Sequence, residues 1–134
     1  MPTATGYTLT ATSDAPFADA VEQVRAELKE EGFGVLCEID VQATLKEKLG
    51  VDREPYLILG ACNPPLAHRA LEAEPAVGVL LPCNVVVYER EGESHISAVD
   101  PERMLSIVDN EQLVGVAAEV KERLGAVVSR AANG

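Results

Sequence analysis

In residues 7–12 apolar and polar side chains alternate, with Tyr7, Leu9 and Ala11 set between Thr8, Thr10 and Thr12. A period of two in strand-favouring residues predicts a β-strand. The period then lengthens. Phe17, Val21, Val24 and Leu28 recur at helical spacing, Ser13 and Asp14 can cap this helix, Pro16 suits its first turn, and Gly32 ends it. Residues 33–39 predict a second strand, and residues 41–49 a short helix closed by Gly50. Residues 56–62 predict a third strand, apolar on both faces. Asn63-Pro64-Pro65 starts a short helix through Leu66, Ala67, Ala70 and Leu71 that stops before Pro75. Residues 77–81 and 85–88 predict one long strand or two pieces of it, interrupted at Pro82. Glu91-Gly92-Glu93 turns the chain into a returning strand over 95–99. Residues 101–108 form a bridging turn or short helix. Beyond Asp109, whose spacing to Gln112 resembles a capping box, Leu113, Val116, Ala117, Val120, Leu124 and Val127 mark a long terminal helix over about 110–131.

Five strands, with helices after the first, second, third and last, predict an α+β fold: a mainly antiparallel five-stranded sheet with helices on one face. The Leu57-Ile58-Leu59 and Val85-Val86-Val87 runs are apolar on both sides of their strands. One helical layer covers only one side, so the other needs a different cover. A symmetric copy of the chain is the simplest one, which predicts a homodimer. At 134 residues, with no repeat, linker or low-complexity tract, residues 1–134 form a single domain.

Composition narrows the partners. Aromatic residues make up 4% of the chain and Trp is absent, so the core rests on Val, Leu, Ile and Ala. So few rings argue against a base-stacking nucleic-acid surface. Eleven Lys and Arg against 22 Asp and Glu give a net charge of −11, a field that repels phosphate backbones and anionic lipid. Nucleic acid and membrane are therefore not expected partners, whereas a small-molecule ligand is compatible. The start of the chain lacks the basic and apolar pattern of a secretory signal, and the longest apolar run, 76–82, is far shorter than a membrane helix requires. A cytoplasmic location is expected. The three cysteines, Cys37, Cys62 and Cys83, do not form a disulfide framework.

The candidate chemistry lies in two Cys-Asn pairs. Cys62 ends its strand directly before Asn63, the cap of the next helix, and a helix start favours a thiolate. Cys83-Asn84 stands where the next strand resumes, and either strand order brings it towards Cys62-Asn63 at one rim of the sheet. Cys62, Asn63, Cys83 and Asn84 are thus the candidate ligand or thiol site. Inert packing of the cysteines, with Asn63 as an ordinary cap, is the competing reading. Cys37 shares a face with Phe33, Val35 and Ile39 by alternation, which places it in the core. His68 is expected to face solvent, Glu38 and Asp40 share a strand face as a possible carboxylate pair, and no metal site is indicated. No phosphate loop, nucleophile elbow or triad spacing occurs. Three functional classes stay open: a ligand-binding or sensing module, a thiol-dependent redox enzyme using Cys62 and Cys83, and a structural homodimer without a site. No cofactor is identified.

The segments Gly32-Phe33-Gly34-Val35-Leu36, Glu38-Ile39-Asp40-Val41, Leu59-Gly60-Ala61-Cys62-Asn63-Pro64 and Leu81-Pro82-Cys83-Asn84-Val85 occur in that order. Together they resemble the bacterial and archaeal family catalogued as domain of unknown function 302, over residues 7–105. The resemblance implies a curved antiparallel sheet similar to the TATA-binding-protein type, and homodimers. It implies no established activity. It singles out the positions of Cys62, Asn63, Cys83 and Asn84.

Overall fold

A computed structural model describes residues 2–133. Its sheet has six strands in the order β1-β2-β6-β5-β4-β3, every neighbouring pair antiparallel. These are β1 (Thr3–Thr5), β2 (Thr8–Ser13), β3 (Gly34–Asp40), β4 (Tyr56–Cys62), β5 (Cys83–Arg90) and β6 (Glu93–Val99). The helices are α1 (Phe17–Glu30), α2 (Val41–Leu49), α3 (Pro64–Ala73), α4 (Pro101–Leu105) and α5 (Val114–Asn133). The α+β architecture and curved antiparallel sheet are as expected; the strand count is six rather than five. The extra strand, β1, joins β2 through Gly6 and Tyr7, with Gly6 at φ 63.

The core lies between one sheet face and the pair α1–α5. Leu9, Leu59, Val85, Val87, Ile96 and Ala98 point inward from the strands. Ala20, Val21, Val24 and Leu28 of α1 and Val120, Leu124, Val127 and Val128 of α5 meet them. Side chains alternate across a strand, so the other face carries Thr8, Thr10, Ile58, Val86, Tyr88 and Ser97, all half-buried. Helix α2 has no buried residue.

Several local expectations are corrected. Residues 77–81 are not a strand: Pro75–Leu80 is a 3₁₀ helix, with Pro75 preset for a helical first turn, and the Leu81–Pro82 peptide is cis. Ser13 and Asp14 do not cap α1; Ser13 Oγ instead accepts from the Ala15 amide at 3.1 Å, and the cap position falls on Pro16. Asp109 is left-handed, at φ 55, and does not form the capping box. Asn110 instead caps a 3₁₀ turn, Glu111–Leu113, by accepting from the Gln112 amide at 2.9 Å, and α5 begins at Val114. Cys37 is exposed, not core. A bulge between Val35 and Cys37 inserts Leu36 and inverts the alternation along an edge strand.

Candidate functional site

Strand β4 ends at Cys62 and β5 begins at Cys83, which pairs with Ala61. The two cysteines therefore meet at one rim of the sheet, where they line the same cavity of about 310 Å³. Its other walls come from α3 through Leu66, Ala70 and Leu71, from α4 through Met104 and Leu105, and from α5 through Val116 and Val120. Two polar ties fix these walls. Asp100, 7% exposed, caps α4 by accepting from the amides of Glu102 and Arg103 at 3.0 and 3.4 Å, and it also takes Lys121 Nζ of α5 at 3.1 Å. Asn110 Nδ2 donates to the Ala73 carbonyl at 3.1 Å, tying the segment before α5 to the end of α3.

Asn63 also lies at the cavity, but its polar atoms are already committed. Its Oδ1 accepts from the Leu66 amide at 3.5 Å, and its Nδ2 donates to the Glu31 carbonyl at 3.2 Å. Arg123 donates to the same carbonyl at 3.0 Å, so the end of α1 is held by β4–α3 and by α5 together. Gly32, at φ 84, passes this junction; an added Cβ would stand 3.2 Å from Asn63 Nδ2. The expected stabilisation of a Cys62 thiolate loses its donors here. Pro64 and Pro65 occupy the first turn of α3 without N–H groups, Leu66 serves Asn63, and the Ala67 amide bonds the Asn63 carbonyl at 2.8 Å.

Cys83 is buried, and burial, reinforced by the neighbouring Cys62, pushes its thiol from an ordinary 9.0 to about 11. It is a neutral S–H group at physiological pH. Cys62 is half-buried. Asn84 does not join the cluster. It points to the opposite face of β5, where it borders a shallow depression of about 620 Å³ together with Thr8, Tyr56, Val86 and Ser97. The candidate site thus gathers Cys62 and Cys83, with Asn63 bonded within the fold and Asn84 on the opposite face.

The remaining candidates have structural duties. Glu38 pairs with Arg25 of α1, and Asp40 caps α2 by accepting from the Ala43 amide at 2.9 Å. His68 is exposed. Among the described residues no group of three or more His, Cys, Asp or Glu side chains is placed to hold a metal ion. None of their helices is long and apolar enough to cross a membrane.

The open face holds a feature the sequence reading missed. Tyr56, Tyr88 and His95 sit at paired positions on β4, β5 and β6, and their rings stack at centroid distances of 5.2 and 4.9 Å. Arg53 caps the row 5.0 Å from the Tyr56 centroid. Only the strand register reveals this row, because the residues are far apart in sequence.

A small α+β module with an apolar, thiol-walled cavity at one rim of an antiparallel sheet is the class these features define. The chain belongs to the family described as Domain of unknown function DUF302, whose profile matches residues 9–131 and so runs through α5. It is similar to the crystal structure of an uncharacterized conserved protein DUF302 from Bacillus stearothermophilus, with 34% identity and a TM-score of 0.87 over 92% of this chain and 97% of that one. No curated protein matches the chain.

Proposed function

We propose that the chain is a ligand-binding module whose small-molecule ligand occupies the cavity between the Cys62–Cys83 rim and helices α3, α4 and α5. The observation that carries this reading is the convergence of the sheet rim, three helices and the 3₁₀ turn on one space of about 310 Å³, at the lower end of the range of ligand pockets. Binding is favoured over thiol catalysis because Cys83 holds its proton and the first amides of α3 are already bonded. Neither sulfur has a hydrogen-bonded general base among the described contacts.

The module acts as a cytoplasmic homodimer in this reading, its second copy covering the half-buried open face around Ile58, Val86 and Tyr88. The reduced thiols suit that compartment. Sedimentation at micromolar concentration should then give twice the 14.2 kDa chain mass, and a monomer would contradict the dimer.

Thermal-shift screening against metabolites tests the binding claim, since a ligand held only by the native state raises Tm. In the folded protein Cys62 should react with an alkylating reagent. A stabilising compound should shield it, in the wild type and in Cys83→Ser alike. A compound that raises Tm yet leaves Cys62 labelling unchanged binds elsewhere and refutes the site.

A further inference from the structure

We infer that the ligand of this cavity is a neutral, hydrocarbon-like molecule about the size of two fused rings; this rests on the binding reading above and names its ligand class. The walls contain no charged side chain. The amide of Asn63, the most polar side chain there, is spent on Leu66 and on the Glu31 carbonyl. No charged side chain is there to answer a carboxylate, phosphate or ammonium. Burying such an ion without a partner carries a large desolvation penalty, so charged ligands are rejected.

Size follows from volume. An engineered apolar cavity of about 150 Å³ stays dry and binds benzene. The space here is about 310 Å³, twice as large. Entry is apolar as well. Leu36, 68% exposed, and Leu71, 42% exposed, border the cavity. These two large exposed aliphatic side chains of the lining give the cavity an apolar border that a hydrophobic molecule crosses without passing a charge. The two thiols fit the same chemistry, since sulfur is a soft, weakly polar contact for a ring.

Calorimetric titration of the full chain with 2-naphthol, neutral at pH 7, and with 2-naphthalenesulfonate, the same skeleton bearing an anion, tests the assignment. Binding of 2-naphthol at one site per chain is expected, with the sulfonate at least tenfold weaker. Ala67→Phe, which fills the cavity from α3, should abolish binding. Leu71→Asp, at an exposed position, should weaken it at least tenfold and covers the case in which Ala67→Phe fails to fold. If the sulfonate binds as tightly and both substitutions remove it, the cavity is a ligand site but the neutral class is wrong. If neither probe binds, or binding ignores both substitutions, the ligand class and the cavity itself fall together.

Discussion

The two faces of the sheet differ in what their side chains are asked to do. Beneath α1 and α5, Leu59, Val85, Val87 and Ile96 are completely buried, and each position is held by its fit to neighbours. On the other side Thr8, Thr10, Ile58, Val86 and Ser97 are only half-buried, interleaved with a row of stacked rings. The same strands supply both faces, so propensity cannot account for the contrast. It follows from what packs on each face. The covered face carries the stability of the single chain and, at its rim, the thiol-walled cavity. The open face is available for association.

The largest expected effect breaks this comparison directly. Leu59→Ala should destabilise the chain by about 2–5 kcal/mol, the usual cost of truncating a buried leucine. Ile58→Ala, next door but facing the other way, should cost about 1 kcal/mol in the unassociated chain and should weaken self-association. Equal losses in chemical denaturation would erase the distinction between the faces.

A second effect sharpens the account of the rim. Folded, Cys83 keeps its proton up to about pH 11, whereas the unfolded thiol releases it near its ordinary 9.0. The raised value means that the contribution is full below about pH 9 and is lost as pH rises towards 11. The full loss amounts to about 2.7 kcal/mol at 1.36 kcal/mol per pKa unit. Cys83→Ala should remove this part of the pH dependence. An unchanged alkaline profile in the variant would mean that Cys83 is more solvated than its burial implies.

A smaller effect concerns Asn63. Asn63→Ala removes the α3 cap and the tie to Glu31, and should cost about 1–2 kcal/mol. Asn84→Ala, on the exposed side of β5, should stay within about 0.5 kcal/mol of wild type. Similar losses would restore the two asparagines to a common role.

Much of the fold is legible in the chain because the covered face imposes clear periods. The α1 stripe of Val21, Val24 and Leu28 and the bounds of α2 and β4 follow from spacing and from glycine or asparagine punctuation. The failures have local causes. Thr3–Thr5 is too short and polar to signal a strand until Gly6 folds it back on β2. The apolar run after Pro75 suits a strand or a 3₁₀ turn equally well by composition. Cys37 misleads because a bulge inverts alternation, and a bulge leaves no periodic trace. Here Cys37 Sγ fills the space over Gly60, where an added Cβ would stand only 2.6 Å from the sulfur. The approach of Cys62 to Cys83 was legible from chain order. The separation of Asn84 from Cys83 was legible too, since adjacent residues of a strand point to opposite faces. The apolar walls from α4 and α5 were not, because they meet the rim only through tertiary packing.

The most direct test of the division between a ligand-holding rim and an associating open face is a map of amide chemical shifts in the labelled protein during titration with 2-naphthol. The account predicts movement at Cys62, Ala67, Leu71, Gly78, Leu105 and Val120, around the cavity, with Thr10, Val86 and Ser97 unmoved. Shifts concentrated on Thr8, Tyr56, Val86, Tyr88 and Ser97 instead, with the cavity silent, would place the ligand on the open face and contradict the account.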